Sequence, residues 1–157
     1  MKEIKKEIVK KEYFYEYESF DGQLFDNKEE CEKYENSAKG VILQKIHNCI
    51  AGEKHDAWEL MGGYEDHKIV AVKVNTQEDA DNLLQFYYLE HPWILENKDT
   101  NECAGNQVKR IQRILDRALK EKDCVLMGIN CDDEYYFINT RNAIIVNLTN
   151  VDMQPKK

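Results

Sequence analysis

The sequence lacks any run of apolar residues long enough to cross a membrane, and it opens on charged residues from Met1 to Glu7. We therefore expect neither a membrane segment nor a secretory signal peptide. The cysteines are odd in number and show no disulfide framework, which favours reduced thiols in a cytosol. They are Cys31, Cys49, Cys103, Cys124 and Cys131. Together these absences predict a cytoplasmic protein that is not attached to a membrane.

Positive charge is scarce in this chain. Lysine and arginine total 22 against 30 acidic residues, which gives a formal net charge of −8. Broad binding to a nucleic acid polymer depends on neutralising phosphates with Lys and Arg, so this balance argues against it. Two kinds of partner remain. One is a small anionic ligand held by a local basic patch, and the other is a partner protein whose basic groove receives an acidic surface.

Catalytic and metal-binding motifs are also missing. His47 and Cys49 lie two residues apart, which is not the ligand spacing of a zinc site. No cysteine has the flanking residues of a known catalytic nucleophile. The glycines Gly62, Gly63 and Gly105 do not form a phosphate-cradling loop. We therefore predict a binding protein rather than an enzyme, with no metal and no cofactor.

The length of 157 residues and the hydrophobic content of 42% predict a single domain with a sizeable core. Residues 1–11 are expected to form a loose arm or the lead-in to a strand, and residues 154–157 a frayed tail. Residues 53–67 show no clear pattern.

Six strands are predicted from aromatic and β-branched runs. They cover residues 13–20, 23–25, 68–74, 124–129, 135–138 and 143–148. Asp21-Gly22 predicts a hairpin turn between the first two strands. The short connections 131–134 and 139–142 predict hairpins between the last three.

Three helices are predicted from apolar spacing and capping residues. They cover residues 28–50 with Asp26 or Asn27 as the cap and Gly40 as a split or a bend, residues 77–91 with Thr76 as the cap, and residues 105–120. The polar residues 96–102 are expected to be a lid or binding loop. Because helices are not inserted one per strand, the order predicts an α+β fold. Its sheet is mainly antiparallel, of about six strands, with helices packed against it.

Three of the four arginines lie in the last predicted helix. Arg110, Arg113 and Arg117 have the spacing i, i+3, i+7 and form one stripe, beside an apolar stripe that begins at Ile111. Asn106 extends the arginine stripe by one turn, near the helix start, where free backbone N–H groups also favour an anion. The pattern fits a site for phosphate or carboxylate. It equally fits a solvated amphipathic helix whose arginine stems cover an apolar edge.

Large aromatic residues precede this helix. Phe86 and Tyr87 belong to an aromatic cluster, and a purine ring binds well to a flat apolar partner while its phosphates bind arginine. We therefore consider Phe86 and Tyr87 candidates for base stacking. The alternative is that such residues simply fill the core.

Two stretches carry a resemblance to a known family. They are Tyr15–Phe25, with sequence YEYESFDGQLF, and Glu30–Glu35, with sequence ECEKYE. With the arginine helix and the late strands, the chain resembles the phage anti-Thoeris nucleotide-sponge family. The resemblance implies a phage or prophage protein that is not an enzyme. Such proteins bind a cyclic ADP-ribose isomer made by a host TIR-domain protein, hold it uncleaved, and so prevent activation of the defence effector.

The resemblance also implies roles for particular residues. Arg110 and Arg113 would hold the pyrophosphate, with Arg117 as a further contact. Asn106 would bind a ribose, and Phe86 or Tyr87 would stack on adenine. A homodimer or higher oligomer, with the ligand near the subunit interface, is implied as well. Two alternatives remain open: an acidic inhibitor that contacts a host protein directly, and a small hydrolase for the same nucleotide.

Overall fold

The computed structural model describes residues 12–54, 68–129 and 135–142 of the chain. This part of the chain contains five helices and six strands, and the predicted α+β class is confirmed. In chain order the elements are β1 Tyr17–Glu18, β2 Leu24–Phe25, α1 Lys28–Glu35, α2 Ala38–Asn48, β3 Ile50–Lys54, β4 Lys68–Lys73, α3 Gln77–Glu90, α4 Pro92–Asn97, α5 Glu102–Glu121, β5 Cys124–Ile129 and β6 Tyr135–Thr140.

The strands form two antiparallel sheets. β1 and β2 form a hairpin, and the other four strands form a sheet in the order β3-β4-β5-β6. Val70 of β4 is opposite Met127 of β5, and Ile129 is opposite Tyr135 of β6. Every neighbour pair in this sheet is antiparallel. Because each strand is pleated, side chains two residues apart on a strand share one face of the sheet.

The main core lies between one face of this sheet and the helices α2, α3 and α5. Val70, Val72 and Met127 face these helices and are at most 3% exposed. The opposite face is buried as well, since Ile69 is fully buried and Leu126 is 1% exposed. β4 and β5 therefore read as continuous apolar runs, because both of their faces are removed from water.

The predicted helix over residues 28–50 is two helices. Asn27 caps α1 as predicted, but α1 ends at Glu35 and the Ser37 side chain caps α2 by accepting from the Gly40 N–H (2.9 Å). The break comes before Gly40, which instead permits a close approach of α2 to the end of α1. β3 follows at once, a strand that the sequence analysis did not predict.

The predicted loop over residues 96–102 is too long. α4 continues to Asn97, and the Asn101 side chain already caps α5, so only residues 98–101 connect the two helices. α5 begins at Glu102 rather than at Gly105, one turn earlier than predicted.

The remaining predicted elements have mixed outcomes. The strands at 68–74, 124–129 and 135–138 and the helix at 77–91 are confirmed within one or two residues at most ends. The first strand pairs over Tyr17–Glu18 alone, and Arg141 and Asn142 are helical rather than a hairpin turn. The arm at 1–11, the connection at 131–134, the strand at 143–148, the tail at 154–157 and most of 53–67 lie outside the described residues. None of the helices that the structure describes is long and apolar enough to span a membrane.

Candidate functional site

Helix α5 carries the three arginines, and local signals fix both of its ends. The Asn101 side chain accepts a hydrogen bond from the Ala104 N–H (3.2 Å), and Glu102 places negative charge in the first turn. The helix ends where Lys122 adopts the left-handed conformation, with φ of 53°. The residues that recur at helical spacing and bury one side of α5 are Ala104, Val108, Ile111, Ile114, Leu115 and Ala118.

Each arginine is exposed, but the three make different contacts. Arg110 reaches across to β6, where its Nη2 donates to the carbonyl oxygens of Phe137 (3.3 Å) and Ile138 (3.1 Å). Arg113 Nε donates to the Lys109 carbonyl of its own helix (3.3 Å). Arg117 pairs with Glu121 one turn later (3.1 Å). Arg110 therefore ties α5 to the sheet, while the contacts of Arg113 and Arg117 suit a solvated amphipathic helix equally well.

Tyr87 lies beside Arg110 at the start of this face. Its hydroxyl donates to Gln107 Oε1 (3.3 Å), and its ring meets Phe137 edge to face at 5.4 Å. Burial raises the pKa of the Tyr87 hydroxyl, and the positive charge of Arg110 opposes that rise. The phenol therefore stays protonated at neutral pH and serves as a hydrogen-bond donor. Because the ring is only 4% exposed, no face of it is open for a base to stack on.

Two shallow hollows flank this part of α5, and we call them the arginine hollows. The first, of about 460 Å³, is lined by Glu102, Cys103, Asn106, Gln107 and Arg110. The second, of about 470 Å³, is lined by Asn106, Lys109, Gln112, Arg113 and Asp116. Asn106 borders both hollows, and Arg117 borders neither. Of the predicted binding residues, Arg110, Arg113 and Asn106 therefore line these hollows, while Tyr87 and Arg117 line neither.

Besides the stacking on Tyr87, two more of the predicted contacts need correction. Phe86 is fully buried and packs edge to face on Tyr135 at 4.8 Å, so it does not reach the arginine hollows. Asn106 was expected near free N–H groups at the helix start. Since α5 begins at Glu102, the unpaired N–H groups belong to the turn before Asn106, and only its side chain is available for binding.

A larger cleft, of about 640 Å³, is lined chiefly by α2 and by the strands β3, β4 and β5. Sequence reasoning missed it, although Asp21-Gly22 was recognised as a turn. The lining comes from eight segments of the chain, and no local pattern joins them. Its lining residues are Asp21, Gly22, Gln23, Tyr34, Lys39, Leu43, Ile46, His47, Ile50, Glu53, Lys68, Val70, Phe86, Met127, Ile129 and Tyr135.

Among the residues described, no group of three or more His, Cys, Asp or Glu side chains is arranged to hold a metal ion. The buried thiols have pKa values above the ordinary range. Burial is the main cause of the raised pKa for Cys124, Cys31 and the half-buried Cys49. The negative charge of Asp79 raises the pKa of Cys49 further. No protein-family model, curated protein or solved structure matches the chain.

Proposed function

We propose that this protein binds and sequesters a small phosphorylated nucleotide at the arginine hollows. The observation that carries the proposal is that two adjoining hollows, one lined by Arg110 and Gln107 and the other by Lys109 and Arg113, share Asn106 in their lining. The resemblance of the sequence to the phage anti-Thoeris sponges specifies the ligand as a cyclic ADP-ribose isomer. Because the bound signal no longer reaches the host immune effector in the cytosol, that effector stays inactive.

The two hollows differ in charge, so each suits a different part of the ligand. In the second hollow Lys109 and Arg113 face a single carboxylate, Asp116, so this hollow is net positive and suits a phosphate. In the first hollow Arg110 is offset by Glu102. This balance suits a ribose, whose hydroxyls both donate and accept hydrogen bonds. Asn106 lies between the hollows, where a side-chain amide can bond a hydroxyl or a phosphate oxygen.

An oligomer fits this proposal. Sites that hold small ligands tightly enclose most of the ligand surface, and a shallow hollow on one helix encloses little of it. A second copy of the chain packed over the α5 face would complete the enclosure. We therefore expect a homodimer or higher oligomer in which α5 borders the interface. Light scattering with and without ligand measures the assembly state.

Thermal melting with ADP-ribose, its cyclic isomers and unrelated nucleotides tests the proposal. A ligand at 100 times its Kd adds about 2.7 kcal/mol of stability, roughly 5–10 °C for a chain of this size. Chromatography after heating then identifies what is released. Release of one cyclic isomer intact supports sequestration. Release of an altered product would mean that the protein is a hydrolase, and no shift with any nucleotide would refute the proposal.

Arg113→Gln and Arg117→Gln form a matched pair for this experiment. Both arginines are exposed on α5, but only Arg113 borders a hollow. Loss of a charge-assisted phosphate contact costs about 1.5–3 kcal/mol, so Arg113→Gln should weaken binding at least tenfold. Arg117→Gln should leave Kd within about twofold. Equal losses in both variants would point to general electrostatic attraction rather than to a site. Arg110 is less suitable, because its removal also breaks the two bonds to β6.

An acidic inhibitor acting by protein contact is the second candidate, and one observation favours it. Residues 12–35 contain nine acidic and two basic residues, which is most of the net charge of the chain. Tyr13, Phe14 and Tyr15 are 73–88% exposed in the same segment. An acidic surface with exposed aromatic rings suits a basic partner groove. Reversal of charge at Glu29, Glu30 and Glu32 should then abolish inhibition without affecting nucleotide binding.

A further inference from the structure

The cleft between α2 and the sheet includes a turn that is held in place. The turn at Asp21 contributes to the lining, and the Tyr34 hydroxyl donates to Asp21 Oδ2 (2.6 Å). The Phe20 N–H donates to Glu35 Oε1 (3.1 Å), which fastens the same turn to α1 a second time. Two hydrogen bonds to one helix hold the turn in place, so the opening is formed before any ligand arrives.

The interior of the cleft is apolar and partly aromatic. Its floor consists of core side chains from the sheet and from α3, including Val70, Met127 and the fully buried Phe86. Phe86 meets Tyr135 edge to face, with ring centroids 4.8 Å apart. Tyr34 adds another ring at the lining. The rings of Tyr34 and Tyr135 are partly exposed and offer contact to a flat ring compound, which gains both buried area and ring–ring contact, whereas the fully buried Phe86 only packs behind Tyr135.

The lysines and carboxylates that line the cleft are equal in number: Lys39 and Lys68 against Asp21 and Glu53. Lys68 is paired with Glu53 (3.4 Å), and Lys39 is paired with Glu90 (2.6 Å), which lies outside the lining. Asp21 accepts hydrogen bonds from Tyr34 and from the Ser19 hydroxyl (2.5 Å). Because both lysines already face carboxylates, the rim does not favour an anion. It offers polar edges to an uncharged molecule instead.

We propose that this cleft is a binding site for an uncharged, flat heterocyclic compound of nucleoside size. Its volume of about 640 Å³ lies within the range of small-molecule sites, and its apolar floor with a polar, charge-balanced rim is their usual chemistry. The ring enters between Tyr135 and the helices, and its polar edge stays at the rim. The site is separate from the arginine hollows, so this proposal stands whether or not a nucleotide binds there.

Methyl-labelled NMR with adenosine, thymidine and indole as probes tests the proposal on the unmodified protein. At least one probe should shift the methyl signals of Ile46, Ile129 and Met127, which line the cleft, and leave those of Val108 on α5 unchanged. Adenosine 5′-monophosphate should bind the cleft at least threefold more weakly than adenosine. No shift with any uncharged probe, or shifts confined to the α5 side, would overturn the proposal.

A matched pair of variants tests the location. Ile129 lines the cleft at the end of β5, and Ile138 lies on β6 on the opposite face of the sheet; both are half-buried. Ile129→Phe fills the cleft and should weaken binding of the active probe at least tenfold. Ile138→Phe makes the same change away from the cleft and should leave Kd within twofold. Equal affinity in both variants would place the probe elsewhere, and the NMR result stands by itself if Ile129→Phe fails to fold.

Discussion

Replacing Gly40 by alanine sets two effects of opposite sign against each other. Gly40 lies in the first turn of α2, and alanine is the better helix former by about 1 kcal/mol. On sequence grounds the substitution should therefore stabilise the protein. In the structure, however, a Cβ at residue 40 would lie 2.2 Å from the Tyr34 carbonyl oxygen and 2.9 Å from that of Glu35.

The steric effect is the larger of the two. Contacts of a Cβ below 3.0 Å are essentially never seen, so the end of α1 would have to move by about 0.8 Å relative to α2. The atoms in the way are backbone, and they cannot rotate aside as a flexible side chain can. Overpacking costs about 1–3 kcal/mol, and the rigid backbone atoms together with strain on the Ser37 cap place this case in the upper part of that range, at about 2–3 kcal/mol. After the propensity gain, we expect Gly40→Ala to lower stability by about 1–2 kcal/mol.

The assay is thermal and urea unfolding followed by circular dichroism. For a chain of this size the expected loss corresponds to a fall in Tm of about 2–8 °C. Val41→Ala is the control, since Val41 follows Gly40 in the same helix, is 44% exposed, and also changes to the best helix former. Its stability should change by less than about 0.5 kcal/mol, or rise. An increase in Tm for Gly40→Ala would refute the close approach of α1 and α2.

Two further substitutions test buried and capping carboxylates. Burial acts to raise the pKa of Asp79, but hydrogen bonds from Thr76 and its neighbour outweigh that effect and hold the pKa below its ordinary value. The stability that this charge contributes is therefore fully present above the ordinary pKa and is lost as pH falls through the lowered one. Asp79→Asn should lower the free energy of unfolding by about 0.5–1 kcal/mol at pH 7. In urea unfolding, this difference from the unmodified protein should shrink as the pH is lowered. A difference that stays constant with pH would contradict the reasoning. Asp123 is 6% exposed and accepts hydrogen bonds from the N–H groups of Cys124 and Asn142 (2.8 Å each). Asp123→Ala should therefore lower the free energy of unfolding in urea by about 2 kcal/mol or more. A change below about 0.5 kcal/mol would show that water replaces the carboxylate.

Helix starts were predictable where a side chain next to the helix supplies the cap. Thr76 and Asp79 form a capping box, and Asn27 accepts from the Glu30 N–H (2.8 Å), both within four residues. The same chemistry explains two errors. Ser37 and Asn101 are caps of the same kind, but each lies inside a stretch that was interpreted as one helix or one loop.

β3 was missed because its residues do not have a strand pattern of their own. Gly52 and Glu53 have low strand propensity, and a bulge interrupts the pairing between Ile50 and Gly52. The strand exists because the edge of β4 offers partners for its backbone groups. Such a partner-dependent strand appears only when the register of the neighbouring strand is known.

The candidate sites also combine features set by local sequence with features set by contacts between distant segments. The apolar stripe of α5 determined that Arg110, Arg113 and Arg117 would be exposed along one side of a helix, because helical spacing is a local property. The choice between Phe86 and Tyr87 depends on how α3 is rotated against β6, and adjacent residues on a helix point about 100° apart. That rotation directs Phe86 to the cleft and Tyr87 to Gln107 on α5.

By itself, the sequence determined the α+β class, most helix and strand positions, the caps at Asn27 and Thr76, and the exposed arginine stripe. These follow from periodicity and from hydrogen bonds between residues close in the chain. The tertiary structure alone decided that Arg110 bonds to β6, that Gly40 lies against the end of α1, and that the cleft opens between the sheet and α2. Each of these depends on which distant segments meet, and contact between distant segments leaves no local pattern in a single sequence.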